Sequence, residues 1–338
     1  MDLNAIWFWL IGVLIIGYAV LDGFDLGVGI LHLFARSHDE RRIYLNAIGP
    51  VWDGNEVWLL TGGGALFAAF PAVYASVFSG FYLALMLLLT ALIFRAVSME
   101  FRGKVDSPRW RTVWDILFGI ASLLPALLFG VAFGNVLRGL PVEQSGTFAA
   151  TLFDLLNPYS LLVGVLTLVL FTMHGAIYLM TKTDGETRIR LQQWATVSWW
   201  VFVVLYLLAT VATMFVSPYL FEGMLMNPFF WVLLLLLLGG ALCIPVALKA
   251  GKQFAGLVAS SCLIAAALGL SALSLFPRLV PSTVDLRFSL TVYNAASSET
   301  TLQTMLLIAL IGMPLVIGYT VFIYRTFKGK VIITGESY

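Results

Sequence analysis

Nine stretches of this 338-residue chain are long and apolar enough to cross a lipid bilayer, and that constrains its fold more than any other feature. They run over about 5–33, 46–70, 76–99, 113–137, 159–180, 194–216, 228–248, 253–276 and 303–324. About 20 residues of helix span the hydrocarbon layer, and only helices or closed barrels satisfy their backbone there. Each stretch is therefore expected to be a transmembrane helix. The composition agrees: 60% of residues are hydrophobic, 11% are charged and the mean hydropathy is +0.96, whereas a soluble chain carries about 25% charge. The connections are short, so no soluble domain is expected. The first stretch is longer than a signal-peptide core and has neither a basic leader nor a small-residue cleavage site, so it is expected to stay as a spanning helix. A net charge of +1 gives no sign of a nucleic-acid partner. Two cysteines, Cys243 and Cys262, are too few for a disulfide framework and are read as buried small hydrophobes.

Lys and Arg on alternating sides of the spans set the orientation. One side holds sixteen, from Arg36, Arg41 and Arg42 through Arg95, Arg102 and Arg111 to Arg325, Lys328 and Lys330; the other holds Arg138, Arg278 and Arg287. The C-terminus is expected in the cytoplasm and, with nine spans, the N-terminus outside. Trp7 and Trp9 fit an outer aromatic belt; Trp110, Trp194, Trp199 and Trp200 fit an inner one. The first four spans contain nearly all the intramembrane charge, and the next four are almost purely apolar. The expected architecture is a single all-α membrane domain over 1–338. It divides into a four-helix bundle at 1–138, a second four-helix bundle at 159–276 and a peripheral ninth helix at 303–324.

Two strings carry the chemistry, LDGFDLGVG at 21–29 and GPVWDGNEVWL at 49–59. Asp22 and Asp25 are three residues apart, as are Asp53 and Glu56, so each pair shares one helix face. A carboxylate at mid-bilayer costs about 2.5–3.5 kcal/mol on the lenient insertion scale, so four of them need a reason, and the usual one is an ion or proton path. Asp25 lies eleven residues before Arg36 and Asp53 eleven after Arg42. If both helices run unbroken from those charges, each acid sits about 16 Å from the cytoplasmic edge, and Gly49-Pro50 would move Asp53 by only a few ångströms. The four acids are thus expected to form one cluster near mid-membrane. Burial and like charge raise carboxylate pKa values, which suits a proton relay. A bound cation, and simple helix–helix hydrogen bonding through Asn55 or the Gly-rich backbone, stand beside that reading. Gly23, Gly27, Gly29 and Gly62, Gly63, Gly64 are read as points of close helix approach, and LDGFDLGVG is not a phosphate loop, since no strand precedes it. His32, His38 and His174 show no paired intramembrane spacing, so no haem ligand and no metal site is expected. His174 is read as a packing residue.

These strings resemble subunit II of the cytochrome bd ubiquinol oxidases, terminal oxidases of bacterial respiratory chains. GGGALFAAFP at 62–71, FYLALMLLL, FGVAFGN at 129–135, LLNPYSLLVG at 155–164, FPRLVPST and LTVYNAASS extend the likeness over the whole chain. The resemblance implies two four-helix bundles plus one helix in the bacterial inner membrane. It implies pairing with a similarly folded subunit I that holds two haems b and one haem d. The complex oxidises quinol near the outer face and reduces O2 with cytoplasmic protons, without firmly bound cofactors in this chain. By motif position Asp53 is the foremost proton-path residue, then Asp22 and Asp25. Glu56, Trp52 and Asn55 support them. A bound quinone and small single-helix accessory subunits stay open, and contacts to them are not carried to the loop at 217–228, which is shorter than in some members.

A stand-alone proton- or cation-coupled transporter is the competing reading of an acid cluster among nine helices. Transporters commonly repeat broken helices in both halves, and here the polar breaks fall in one half.

Overall fold

Aspartate 2 opens the first helix: its carboxylate accepts from the Ala5 amide at 2.8 Å, an N-cap bond. The helix α1 (Leu3–His32) then runs unbroken for 30 residues. The computed structural model describes residues 2–146 and 151–333. Beyond α1 come α2 (His38–Ile48), α3 (Trp52–Ala69), α4 (Pro71–Gly80), α5 (Tyr82–Phe101) and α6 (Pro108–Arg138). They are followed by α7 (Leu152–Leu155), α8 (Pro158–Lys182), α9 (Gly185–Val216), α10 (Pro228–Lys249), α11 (Gln253–Leu275) and α12 (Glu299–Thr326). Proline opens α4, α6, α8 and α10, where its missing N–H costs nothing and its fixed φ favours the first turn.

Eight of these helices are individually long and apolar enough to span; α3 and α4 pass together but are bent by 120°. The chain is a multi-pass membrane protein with eight such spans among the described residues, nine if that pair counts as one. The bend is at Phe70, whose backbone leaves the helical region just before Pro71. Two expected boundaries change. The span expected at 46–70 does not run through Gly49-Pro50. Ser37 caps the amphipathic α2, the chain turns at 49–51, and α3 starts afresh at Trp52. Pro50 has no N–H to donate into the preceding turn, and the backbone leaves the helical region at Val51 (φ −124°, ψ −25°). Likewise the span expected at 76–99 is cut at Phe81, and its membrane helix is α5.

Helix α1 packs against α3, α6, α8 and α11, while α8 also meets α6, α9 and α11, and α10 lies along α11. The α1–α8 crossing is backbone on backbone. A Cβ at Gly27 would overlap the Phe171 carbonyl, and one at Gly175 would come within 2.5 Å of the Gly27 carbonyl carbon. Gly23 and Gly29 are equally tight, against Phe171 and Ser122. Gly63 and Gly64 are not: a Cβ there meets nothing within 4 Å, because they lie on the side of α3 that the rest of the chain leaves open.

His174 locks the same crossing, bonding Ser260 Oγ at 2.7 Å and the Val20 carbonyl at 3.0 Å. Its packing role is as expected. Trp7 is buried and donates to the Leu302 carbonyl of α12, and Trp199 donates to Ala241 of α10. These two indoles join helices rather than line an interface. Cys243 is exposed on α10, contrary to its expected burial. In a bilayer the outward face of a helix is as apolar as the core, so hydrophobicity does not tell inside from outside. At the end opposite His32, a short antiparallel pair, β1 (Arg278–Val280) and β2 (Leu290–Thr291), ties to the segment after α6 through Leu140 N to Pro281 O at 2.9 Å.

Candidate functional site

Asp22 and Asp25 are fully buried on α1, and the charge that answers them comes from α5. Arg95, also fully buried, donates from Nη1 and Nη2 to the two oxygens of Asp22 at 2.9 and 2.5 Å. This is the two-pronged geometry in which guanidinium and carboxylate bind most strongly. Nη2 lies 4.0 Å from Asp25, and Nη1 lies 3.4 Å from Glu56 of α3. One guanidinium thus faces three carboxylates on two helices. Asp25 receives a hydrogen bond from Asn55 Nδ2 at 2.7 Å. Asn55 in turn accepts from the Tyr324 hydroxyl of α12 at 3.0 Å. Trp52 packs at the edge of the same core.

The sequence places Arg95 on the cytoplasmic side, and the structure corrects this. It lies inside the apolar run 82–101 and faces inward, six residues before the end of α5. A charge within a spanning window, opposite acids in two other windows, is the signal that identifies it. The charge asymmetry between the two sides persists without it.

Of the four acids, the structure gathers Asp22, Asp25 and Glu56. Asp53 lies in the first turn of α3, exposed on its open face beside Gly54, where the helix dipole favours an anion. The depth argument fails for the same reason that α2 and α3 are separate: no continuous helix links Arg42 to Asp53. Asp25 stands seven residues from the end of α1, about 10 Å, so the group lies nearer the His32 end than mid-helix. Several buried polar atoms here have no hydrogen-bond partner among the described residues: Tyr18 Oη, Asp25 Oδ1, Glu56 Oε1 and Arg95 Nε. Native interiors rarely tolerate this.

A second buried group closes the His32 end. Asp115 of α6 takes His32 Nε2 at 2.6 Å and Arg102 Nε at 2.5 Å, with Arg41 Nε 3.8 Å away. Arg102 Nη2 also donates to His38 Nδ1 at 3.2 Å. Desolvation, then the guanidiniums of Arg102, Arg111 and Arg42, lower the pKa of His38, which keeps that nitrogen free to accept. Neither Asp115 nor His32 stands out in the sequence, although each falls inside an expected span. Farther round, Glu40 pairs with Arg190 and accepts from Tyr44 Oη at 2.9 Å, pinning α2 to α9. The end of α12 is held by Lys182 Nζ on the Phe327 carbonyl at 2.7 Å and by Lys330 Nζ on the Thr183 carbonyl at 2.6 Å.

Both nitrogens of His174 are used by protein, and His32 and His38 each give one nitrogen to a neighbouring charged residue. Among the described residues no three of His, Cys, Asp and Glu are placed to hold a metal.

Comparison with known proteins gives a consistent result. A profile of the family described as cytochrome bd terminal oxidase subunit II matches residues 3–327. The chain is 38% identical over 360 aligned residues to cytochrome bd-I ubiquinol oxidase subunit 2 of Escherichia coli (strain K12), covering 97% of this chain and 95% of that one. It is 37% identical over 332 residues to cytochrome bd ubiquinol oxidase subunit 2 of Bacillus subtilis (strain 168), covering 98% and 97%. The fold is similar to a chain in the structure of bd oxidase from Geobacillus thermodenitrificans, with a TM-score of 0.81 and 16% identity over 97% of this chain and 99% of that one. Family profile and full-length relatives together decide against the transporter reading: the chain belongs to the cytochrome bd terminal oxidase subunit II family.

Proposed function

We propose that this chain works in a quinol:O2 oxidoreductase beside a haem-bearing subunit I. In that complex it supports its partner and delivers protons for the reduction of O2 to water. The observation that carries the reading is the buried group of Asp22, Asp25, Glu56 and Arg95, next to a face of α3 that this chain does not cover. Ionisable groups inside a membrane face protein or water, not lipid, so exposed Asp53 calls for a partner on that face. Gly54, Gly63 and Gly64 permit a helix to approach it closely. In this scheme Asp53 and Glu56 pass protons and Asp25 receives them, while Asp22 is held as an anion by Arg95. Asn55 and Trp52 keep the group in register.

The two haems b and one haem d belong to the partner in this proposal; they supply the electron transfer and oxygen chemistry. Quinol is oxidised near the outer face, and proton uptake starts at the cytoplasmic one. The charge asymmetry supports an N-terminus outside and a C-terminus in the cytoplasm of the bacterial inner membrane. Helices up to 138 form the first bundle, those over 159–276 the second, and α12 flanks both. A bound quinone and accessory single-helix chains are compatible with the exposed apolar faces.

Asp53→Asn tests the reading, because an amide keeps the size and polarity of the side chain and removes the acid that carries the proton. The complex should assemble with its haem spectrum intact and turn over more slowly. Loss of partner and haem in this variant would make Asp53 structural.

A further inference from the structure

One face of α1 is polar along most of its buried length. Tyr18, Asp22, Asp25 and His32 follow at spacings of four, three and seven residues, which superimposes them on one helix face. All four are buried. The seven-residue gap is bridged from α6. A Cβ at Gly29, midway between Asp25 and His32, would overlap the Ser122 hydroxyl, so that hydroxyl lies against α1 at the missing level. Ser122 is itself fully buried and donates to the Phe118 carbonyl at 2.8 Å, which leaves its oxygen lone pairs free to accept. From Tyr18 to His32 the row rises about 21 Å.

Three members of this row each carry one buried polar atom without a hydrogen bond among the described residues: Tyr18 Oη, Asp25 Oδ1 and His32 Nδ1. A purely structural set of helix–helix bonds would satisfy those atoms. His32 is the telling case. Its Nε2 faces the Asp115 carboxylate, which fixes Nε2 as the protonated nitrogen and leaves Nδ1 with the lone pair. Nδ1 is a base without a partner at the foot of the row. The pair sits near the edge of the protein: the Asp115 side chain is 7% exposed and that of Arg41 beside it 32%.

We propose that the His32–Asp115 pair is a second point at which protons join the face of α1, and that Ser122 bridges from it to Asp25. This rests on the proton-delivery reading above and adds to it a route separate from Asp53. His32 Nδ1 binds a proton to give an imidazolium held by Asp115, then returns that proton up the row; no other bond changes. The charged and titratable groups around the pair are Arg102 at the end of α5, Arg41 and His38 of α2, and Asp115 itself on α6.

The test is proton uptake by the intact, pre-reduced oxidase complex on an oxygen pulse, followed with a pH indicator across pH 5.5–8.5 (roughly the range over which an imidazole titrates). His32→Gln keeps a side-chain amide donor for Asp115 and removes the titrating base. The expected result is full assembly, uptake measurably slowed with the remainder entering through Asp53, and loss of the part of the pH profile that an imidazole contributes. Wild-type uptake and profile in His32→Gln, with slowed uptake in Asp25→Asn, would overturn this proposal and leave the proton-delivery reading standing. Wild-type uptake in both variants would overturn both. If His32→Gln does not assemble, Ser122→Ala decides: slowed uptake supports the bridge, and wild-type uptake overturns it.

Discussion

Arg95 makes the acids of α1 tolerable, and the geometry predicts an unequal response to removing either partner of its main ion pair. Arg95→Gln takes away two short hydrogen bonds to Asp22 and the charge that faces Asp25 and Glu56. Three carboxylates then share one dry site with no cation. Breaking a buried pair in this way costs about 3–5 kcal/mol, a large part of a typical stability of about 5–15 kcal/mol. Asp22→Asn is milder. Arg95 keeps Glu56 at 3.4 Å and Asp25 at 4.0 Å, and the amide still accepts a hydrogen bond, so the loss is that of one charge-assisted bond, about 1.5–3 kcal/mol. The double variant removes both charges of the pair and should cost less than the sum of the two, with a coupling of about 1–3 kcal/mol. Denaturation of the solubilised complex by sodium dodecyl sulfate, followed by retention of the two-subunit particle, reads all three. Equal costs for the single variants, or strict additivity in the double, would refute the idea that one guanidinium serves several acids.

Other expectations follow from single contacts. Tyr324→Phe should lose about 0.5–1.5 kcal/mol, the worth of its bond to Asn55, with assembly retained in the same denaturation assay. Gly27→Val should block the α1–α8 crossing and abolish folded protein in the membrane, whereas Gly64→Ala, with no neighbour within 4 Å, should leave the chain's own fold intact. An effect of Gly64→Ala on recovery of the heterodimer would then locate the partner. Glu40→Ala should release α2 from α9 at a cost of about 3 kcal/mol, detectable as new proteolytic cleavage between residues 33 and 51.

Hydrophobic length made the spanning helices legible in the sequence. It could not place the breaks. Gly49-Pro50 reads as a small distortion if the helix is assumed to resume, but one helix ends at Ile48 and another begins at Trp52. Hydropathy also hides pairing. Arg95 lies in an apolar run whose end is crowded with basic residues, so counting charges assigns it to the interface, and its distance to Asp22 shows that it is a counter-ion. Asp115 and His32 were obscured in the same way, each a single polar residue near a helix end. Glycine carries two meanings that sequence does not separate: Gly27 is a crossing within the chain, while Gly64 opens a face away from it. The acids themselves were found because carboxylates in apolar runs are costly, and three of the four meet.

The most direct test of the account is the rate of proton uptake when oxygen is added to the reduced complex bearing Asp25→Asn. The account predicts that oxygen binds the reduced complex at the normal rate while proton uptake slows by roughly tenfold or more. Unchanged uptake in an intact complex would show that the buried carboxylates of α1 hold helices together and carry no protons.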